Sequence, residues 1–190
     1  MKVRGWTGLG VAVLAVGAGL ATSQDCRGEG PPVSLRRLER QIHELVNRER
    51  QKQGLKPLEL DPRLAEIARG HSEDMAKRNY FGHQSPEGLS PTDRGKIAGY
   101  PLRKKLGRGY TEGLAENVFK GTLYRSMTRM LGLTRYHWMT ESELANKIVA
   151  GWMKSPGHRK NILTATYDKE GIGAGVSKAG YELYVTQVFW

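Results

Sequence analysis

The chain reads as an α+β domain. Apolar residues recur at helical spacing through the first half, while alternation at period two is confined to the last quarter. Helices early and strands late, in a length that suits one domain plus a leader, favour packed layers around one core over a repeat or a bundle.

The N-terminus reads as a secretory signal over residues 1–23. Lys2 and Arg4 are its basic region, Gly8 to Leu20 its apolar region, and Ala21-Thr22-Ser23 the small residues a signal peptidase accepts. The alternative is an uncleaved N-terminal membrane anchor, against which the apolar run is short and glycine-rich. Residues 24–34 are polar and rich in Gly and Pro, and read as a flexible linker holding the single cysteine, Cys26. One cysteine permits no intramolecular disulfide, so the domain from 35 to 190 must be held by its core.

Ser34 to Gln53 reads as a helix, because Leu35, Leu38, Ile42, Leu45 and Val46 share one face and Gly54 ends it. Leu55 to Leu60 is an extended connector. Asp61-Pro62 opens a second helix, with Asp as cap and Pro at the first position, and its apolar stripe includes His71. Phe81 to Pro91 is a Gly/Pro-rich loop, and Ser90-Pro91-Thr92-Asp93 caps a short helix reaching Ala98. Tyr100 to Gly113 reads as a basic loop, and Leu114 to Phe119 as the end of an element. Gly121 to Thr140 carries no clear period and reads as an insertion. Thr140-Glu141-Ser142-Glu143 is a capping box for a helix to Lys154, and Pro156-Gly157 breaks it before a short helical turn from His158 to Leu163. Tyr167 to Ser177 and Tyr181 to Phe189 alternate around Lys178-Ala179-Gly180, the pattern of a terminal hairpin.

Three segments carry polar groups suited to a site: Phe81-Gly82-His83-Gln84-Ser85-Pro86, Ala115-Glu116-Asn117-Val118 and Trp152-Met153-Lys154-Ser155-Pro156-Gly157-His158-Arg159. In this order, and followed by Gly171-Ile172-Gly173 and Tyr184-Val185-Thr186-Gln187-Val188-Phe189, they resemble the CAP superfamily of cysteine-rich secretory, antigen 5 and pathogenesis-related proteins, in its disulfide-poor bacterial branch. The resemblance runs from about Leu38 to Trp190. It implies an α–β–α sandwich with a central, mainly antiparallel sheet and helices on both sides.

The resemblance also implies a cleft of two histidines and two glutamates. Matched motif to motif, these positions hold His83, Glu116, His158 and Ser155, so a serine stands where the second glutamate would be. Two imidazoles and a carboxylate could hold a weakly bound divalent metal such as zinc, with water at the open position. The plainer reading is that both histidines hydrogen-bond backbone carbonyls and fix loops. Glu141 lies about four helical turns from Ser155 and cannot replace the missing carboxylate, while Glu112 could approach from its loop although nothing in the sequence requires it. Among the other histidines, His71 reads as a buried core residue, and His43 as a helix-surface or packing residue.

Ser85 and Ser155 near histidines allow a serine hydrolase, but the chain has no exposed-nucleophile turn of the G-x-S-x-G kind. A formal charge of +11, or +9 once Lys2 and Arg4 leave with the leader, favours anionic envelope surfaces. Export argues against nucleic acid, and membrane contact is at most peripheral after leader cleavage. The expectation is therefore a secreted, periplasmic or extracellular binding module for a lipid, peptide or envelope ligand. Its alternatives are a metal-assisted or serine hydrolase of peptides or wall material, and a structural envelope protein with a vestigial cleft.

Overall fold

The computed structural model describes residues 33–179 and 181–190. The expected leader and most of the expected linker, with Cys26, lie outside the described residues.

The first helix, α1 (Leu35–Lys52), is capped by the Ser34 side chain, which accepts from Arg37 N, and buries Leu38, Ile42 and Val46. A two-residue strand, β1 (Glu59–Leu60), leads into α2 (Pro62–Arg78). The Asp61 carboxylate accepts from the backbone N–H of Arg63 and Leu64, as the Asp-Pro start requires. Helix α3 (Pro91–Ile97) begins with a full capping box between Ser90 and Asp93. Hairpin β2 (Arg103–Leu106) and β3 (Gly109–Glu112) follows, then the long strand β4 (Ala115–Thr122). A second hairpin pairs β5 (Tyr124–Met130) with β6 (Leu133–Trp138). Helix α4 (Glu141–Lys154) has the Thr140–Glu143 capping box, and α5 (Pro156–Ile162) follows Ser155 directly. Strands β7 (Lys169–Val176) and β8 (Glu182–Phe189) form the terminal antiparallel pair.

The main sheet has the order β1-β7-β8-β4, with only the β1–β7 pair parallel. Helix α2 covers one face; α1 and α4 cover the other. This is the α–β–α sandwich of the sequence expectation. The larger core lies on the α1/α4 side, where Leu38, Ile42, Leu144, Ile148 and Trp152 meet Ile172, Ala174, Leu183, Val185 and Phe189.

On the opposite face β7 presents Gly171, Gly173 and Gly175. A Cβ at Gly173 would come within 2.0 Å of Arg69 N, and one at Gly171 within 2.0 Å of the Leu64 carbonyl carbon. The backbone of α2 therefore rests directly on the strand. This glycine stripe is why α2, which carries His71, sits so close to the sheet.

Three segments depart from the sequence reading. Tyr100 to Gly113 contains the β2–β3 hairpin and is not simply a loop. Leu114 to Phe119 is most of an eight-residue strand paired along its whole length with β8. The unread stretch 121–140 is an ordered hairpin. Its base is pinned by Leu123 N donating to Tyr181 O and Met139 N donating to Leu123 O, both at 2.9 Å, with Leu123 and Met139 buried.

Candidate functional site

Strand β4 is an edge of the main sheet, and alternation sends its polar residues to opposite faces. Glu116 points to the α2 face and Asn117 to the α4/α5 side. Each is buried, so each needs partners.

Glu116 is surrounded by three cationic or ionisable groups. His83 Nδ1 donates to Oε1 at 2.9 Å, Arg94 Nη2 donates to Oε2, and His71 Nε2 lies 4.0 Å from Oε1. The carboxylate is 1% exposed, while the His83 side chain is 52% exposed. Arg94 reaches Glu116 from α3 and also ties down the intervening loop, since its Nη1 donates to His83 O at 3.1 Å and Leu89 O at 2.9 Å. One guanidinium thus fixes the carboxylate and the backbone of its imidazole partner together.

The histidines divide by the direction in which their surroundings shift them. The hydrogen bond to Glu116 raises His83 above the ordinary histidine value, against opposition from burial and from Arg94. Burial holds His71 below that value; its Nε2–H donates to Gly82 O at 2.9 Å. A carbonyl oxygen can only accept, so the His71 tautomer carries its proton on Nε2. His158 is lowered by burial and by the charge of nearby His83.

His158 is placed from the other side of β4. Asn117 Nδ2 donates to His158 O at 3.1 Å, and Asn161 Nδ2 donates to both Glu116 O and Asn117 Oδ1. These bonds tie α5 to the strand that carries Glu116. Asn117 Nδ2 also donates to Gln187 Oε1, Gln187 Nε2 donates to Glu170 Oε2, and His43 Nδ1 bonds Glu170 Oε1 at 2.6 Å. A chain of buried polar groups therefore runs from Asn117 across the α1/α4 face of the sheet to α1. Beneath it, Arg50 donates to Ile162 O, Thr164 O and Tyr167 O, clamping the segment after α5.

Of the residues matched by sequence, His83 and Glu116 are in direct contact, and His158 stands within electrostatic reach of His83. Ser155 is half-buried at the α4–α5 junction and makes no capping hydrogen bond to α5. Ser85 Oγ accepts from Leu89 N and closes its own turn. Arg94 was not among the sequence candidates; its signal was a buried glutamate that needed a counter-charge. His71 is the buried, hydrogen-bonded residue expected, and it also borders Glu116. Of the two readings of His43, helix surface or packing, the structure has the second: it is the partner of a fully buried glutamate.

The donor set does not fit a divalent cation as arranged. Both oxygens of Glu116 are engaged, one of them by a guanidinium, and residue 155 brings no carboxylate. Among the described residues no group of three or more His, Cys, Asp or Glu side chains is placed to hold a metal ion. Glu141 accepts from Ser34 N and Arg37, and Glu112 lies on the exposed β3 strand, so neither substitutes.

Next to this cluster, α2, the 85–89 loop and α3 enclose a groove of about 520 Å³. Ile67, Leu89, Ile97 and Ala98 line it with His71, Ser85 and Arg94. Its rim charges are partly satisfied internally, as Arg78 bridges Asp74 and Glu87.

The sandwich agrees with a match of residues 43–189 to the model of the Cysteine-rich secretory protein family, CAP, and the chain belongs to that family. It is 37% identical over 142 residues to the uncharacterized protein YkwD of Bacillus subtilis, covering 75% of this chain and 44% of that one. It is 33% identical over 138 residues to the uncharacterized membrane protein YlbC of the same organism, covering 71% of this chain and 31% of that one. Among solved structures, an extracellular protein of Bacillus anthracis containing an SCP domain superposes with a TM-score of 0.55 at 28% identity, over 81% of this chain and 40% of that one. The chain thus spans less than half the length of each of these relatives.

Proposed function

We propose that this CAP domain is a non-enzymatic binding module working outside the cytoplasm. Its cleft would take the polar head of a lipid or peptide, and the groove beside it the apolar part. The observation that carries this reading is the commitment of Glu116. With one oxygen bonded to Arg94 and the other to His83, it is not free to act as a base, and its hydrogen bond raises His83 above the ordinary histidine value. An imidazolium at the cleft mouth donates hydrogen bonds to an anionic head. The exposed apolar side chains Phe81 and Ile97 flank the same region, and Ile97 lines the groove. The word extracellular in the description of the Bacillus anthracis relative supports a secreted or envelope location, and the membrane protein YlbC keeps an N-terminal anchor as the alternative.

The test uses a fluorescent sixteen-carbon fatty acid as probe, with casein and peptidoglycan as substrates in parallel. Binding should be saturable, weakened about tenfold or more by Ile97→Asp and by His83→Ala, with neither substrate consumed. Ile97 is 72% exposed, so that substitution leaves the core intact. Consumption of casein or peptidoglycan that disappears in His83→Ala would establish the hydrolase reading instead. Binding untouched by both substitutions would place the ligand elsewhere.

A further inference from the structure

The β5–β6 hairpin does nothing for the cleft, yet it is an ordered and unusually composed projection. From its buried root at Leu123 and Met139 it extends seven residues, roughly 20 Å at the rise of an antiparallel strand. Near the root Tyr136 stacks on both Trp138 and Tyr181, at ring separations of 5.0 and 4.9 Å, with Tyr124 packed 5.0 Å from Tyr136. These rings stiffen the stem by packing on one another.

The tip has the opposite character. Met130 and Leu133 face each other across the last rung and are 70% and 67% exposed; Leu131, in the turn, is 96% exposed. Leu131 and Gly132 both have positive φ, +49° and +78°. A two-residue turn of this type favours Asn-Gly or Asp-Gly, since a side chain of leucine's size strains in the left-handed region. The sequence thus holds a large apolar side chain in water, at a position where turn chemistry asks for a small polar one.

Charge completes the pattern. Residues 121–140 contain Arg125, Arg129 and Arg135 and no Asp or Glu. Arg125 pairs with Glu143 of α4; among the described residues no carboxylate pairs with Arg129 or Arg135. By register Arg129 lies one residue behind Met130, and Arg135 two behind Leu133, so both arginines sit within roughly 7 Å of the tip along the strands. An apolar tip with guanidinium groups just behind it matches the layering of an anionic leaflet, acyl chains below phosphates.

We infer that the β5–β6 hairpin is a peripheral membrane anchor, which inserts Met130, Leu131 and Leu133 into an anionic lipid surface and sets Arg129 and Arg135 against its phosphates. Nucleic acid fits less well, because the aromatic rings are occupied with one another and the tip presents aliphatic carbon. The inference is independent of what the cleft binds.

The experiment uses the full chain with Cys26→Ser and Leu131→Cys, carrying an environment-sensitive NBD label at 131. A second protein carries the label at Glu73→Cys, on the exposed side of α2. Vesicles are phosphatidylcholine alone or with 30% phosphatidylglycerol, with and without nitroxide-labelled acyl chains. The account expects a blue shift and nitroxide quenching at 131 with anionic vesicles, little with neutral ones, and neither at 73. Arg129→Glu with Arg135→Glu should raise the lipid concentration for half-maximal shift at least tenfold at low salt. An unchanged spectrum at 131 would overturn the inference, as would equal shifts at 131 and 73. So would a shift that needs only higher protein concentration, which would indicate self-association, or one produced by an oligonucleotide and not by vesicles.

Discussion

Replacing Arg94 with methionine probes the arrangement that the functional reading depends on. The substitution keeps most of the aliphatic stem and removes the guanidinium. It would leave the Glu116 carboxylate, 1% exposed, with His83 as its sole direct partner, and would remove the guanidinium donors to His83 O and Leu89 O, the latter keeping its bond from Ser85 N. Removing one member of a buried ion pair costs about 3–5 kcal/mol, and the surviving His83 contact argues for the lower end, about 3 kcal/mol. In a domain of this size each kcal/mol lowers the melting temperature by about 2–4 °C, so the loss should be about 6–12 °C. Scanning calorimetry and urea unfolding at pH 7 would measure it. Glu116→Gln should also destabilise, by stranding Arg94. The double variant should lose at least about 1 kcal/mol less than the sum of the singles, because the two residues are in contact. A cost under about 1 kcal/mol for Arg94→Met, or strictly additive singles, would refute the ion pair as the organiser of the cleft.

Trp152 is 1% exposed and its indole N–H donates to Val118 O, so Trp152→Ala should cost about 3–5 kcal/mol in urea unfolding. Gly173→Ala, whose Cβ would sit 2.0 Å from Arg69 N, should push α2 off the sheet and yield little folded protein; a native-like melt would contradict the close packing. Zinc affinity by calorimetry should be weak at pH 6 and stronger at pH 8, because His83 must lose a proton that Glu116 helps it keep. Arg94→Met should strengthen zinc binding about tenfold by freeing Glu116, and Ser155→Glu should add a ligand if that side chain turns toward the histidines.

Helix α1 was legible from its apolar face, and α2, α3 and α4 from starts that carry their own chemistry: Asp61-Pro62, Ser90 with Asp93, and Thr140 with Glu143 cap as their sequence requires, whereas α5 begins after Ser155 with no side-chain cap. The terminal hairpin was legible from alternation. Strand β4 was not, because Glu116 and Asn117 are both buried, on opposite faces, and polar residues inside a core erase the period-two signal. The two outlying hairpins expose much of their surface, so their side chains record little of what the backbone does. In the site, His83 and Glu116 were found through motif context, whereas Arg94 was one cation among thirty Lys and Arg. The His43–Glu170 pair carried a readable hint: a carboxylate beside glycines in a core strand has to find a partner.

The central claim is that Glu116 is committed to Arg94 and His83, which raises His83 above the ordinary histidine value, while burial and the neighbouring His83 lower His158. Histidine ring resonances followed by NMR between pH 5 and 9 test it most directly. A raised His83 contributes stability fully present below about pH 6.5, lost as pH climbs through its folded value; a lowered His158 contributes stability present above about pH 6.5, lost as pH falls through its own. The account predicts a midpoint above 6.5 for His83, one below 6.5 for His158, and a fall in the His83 midpoint in Glu116→Gln. A His83 midpoint at or below 6.5, or one indifferent to Glu116→Gln, would contradict it.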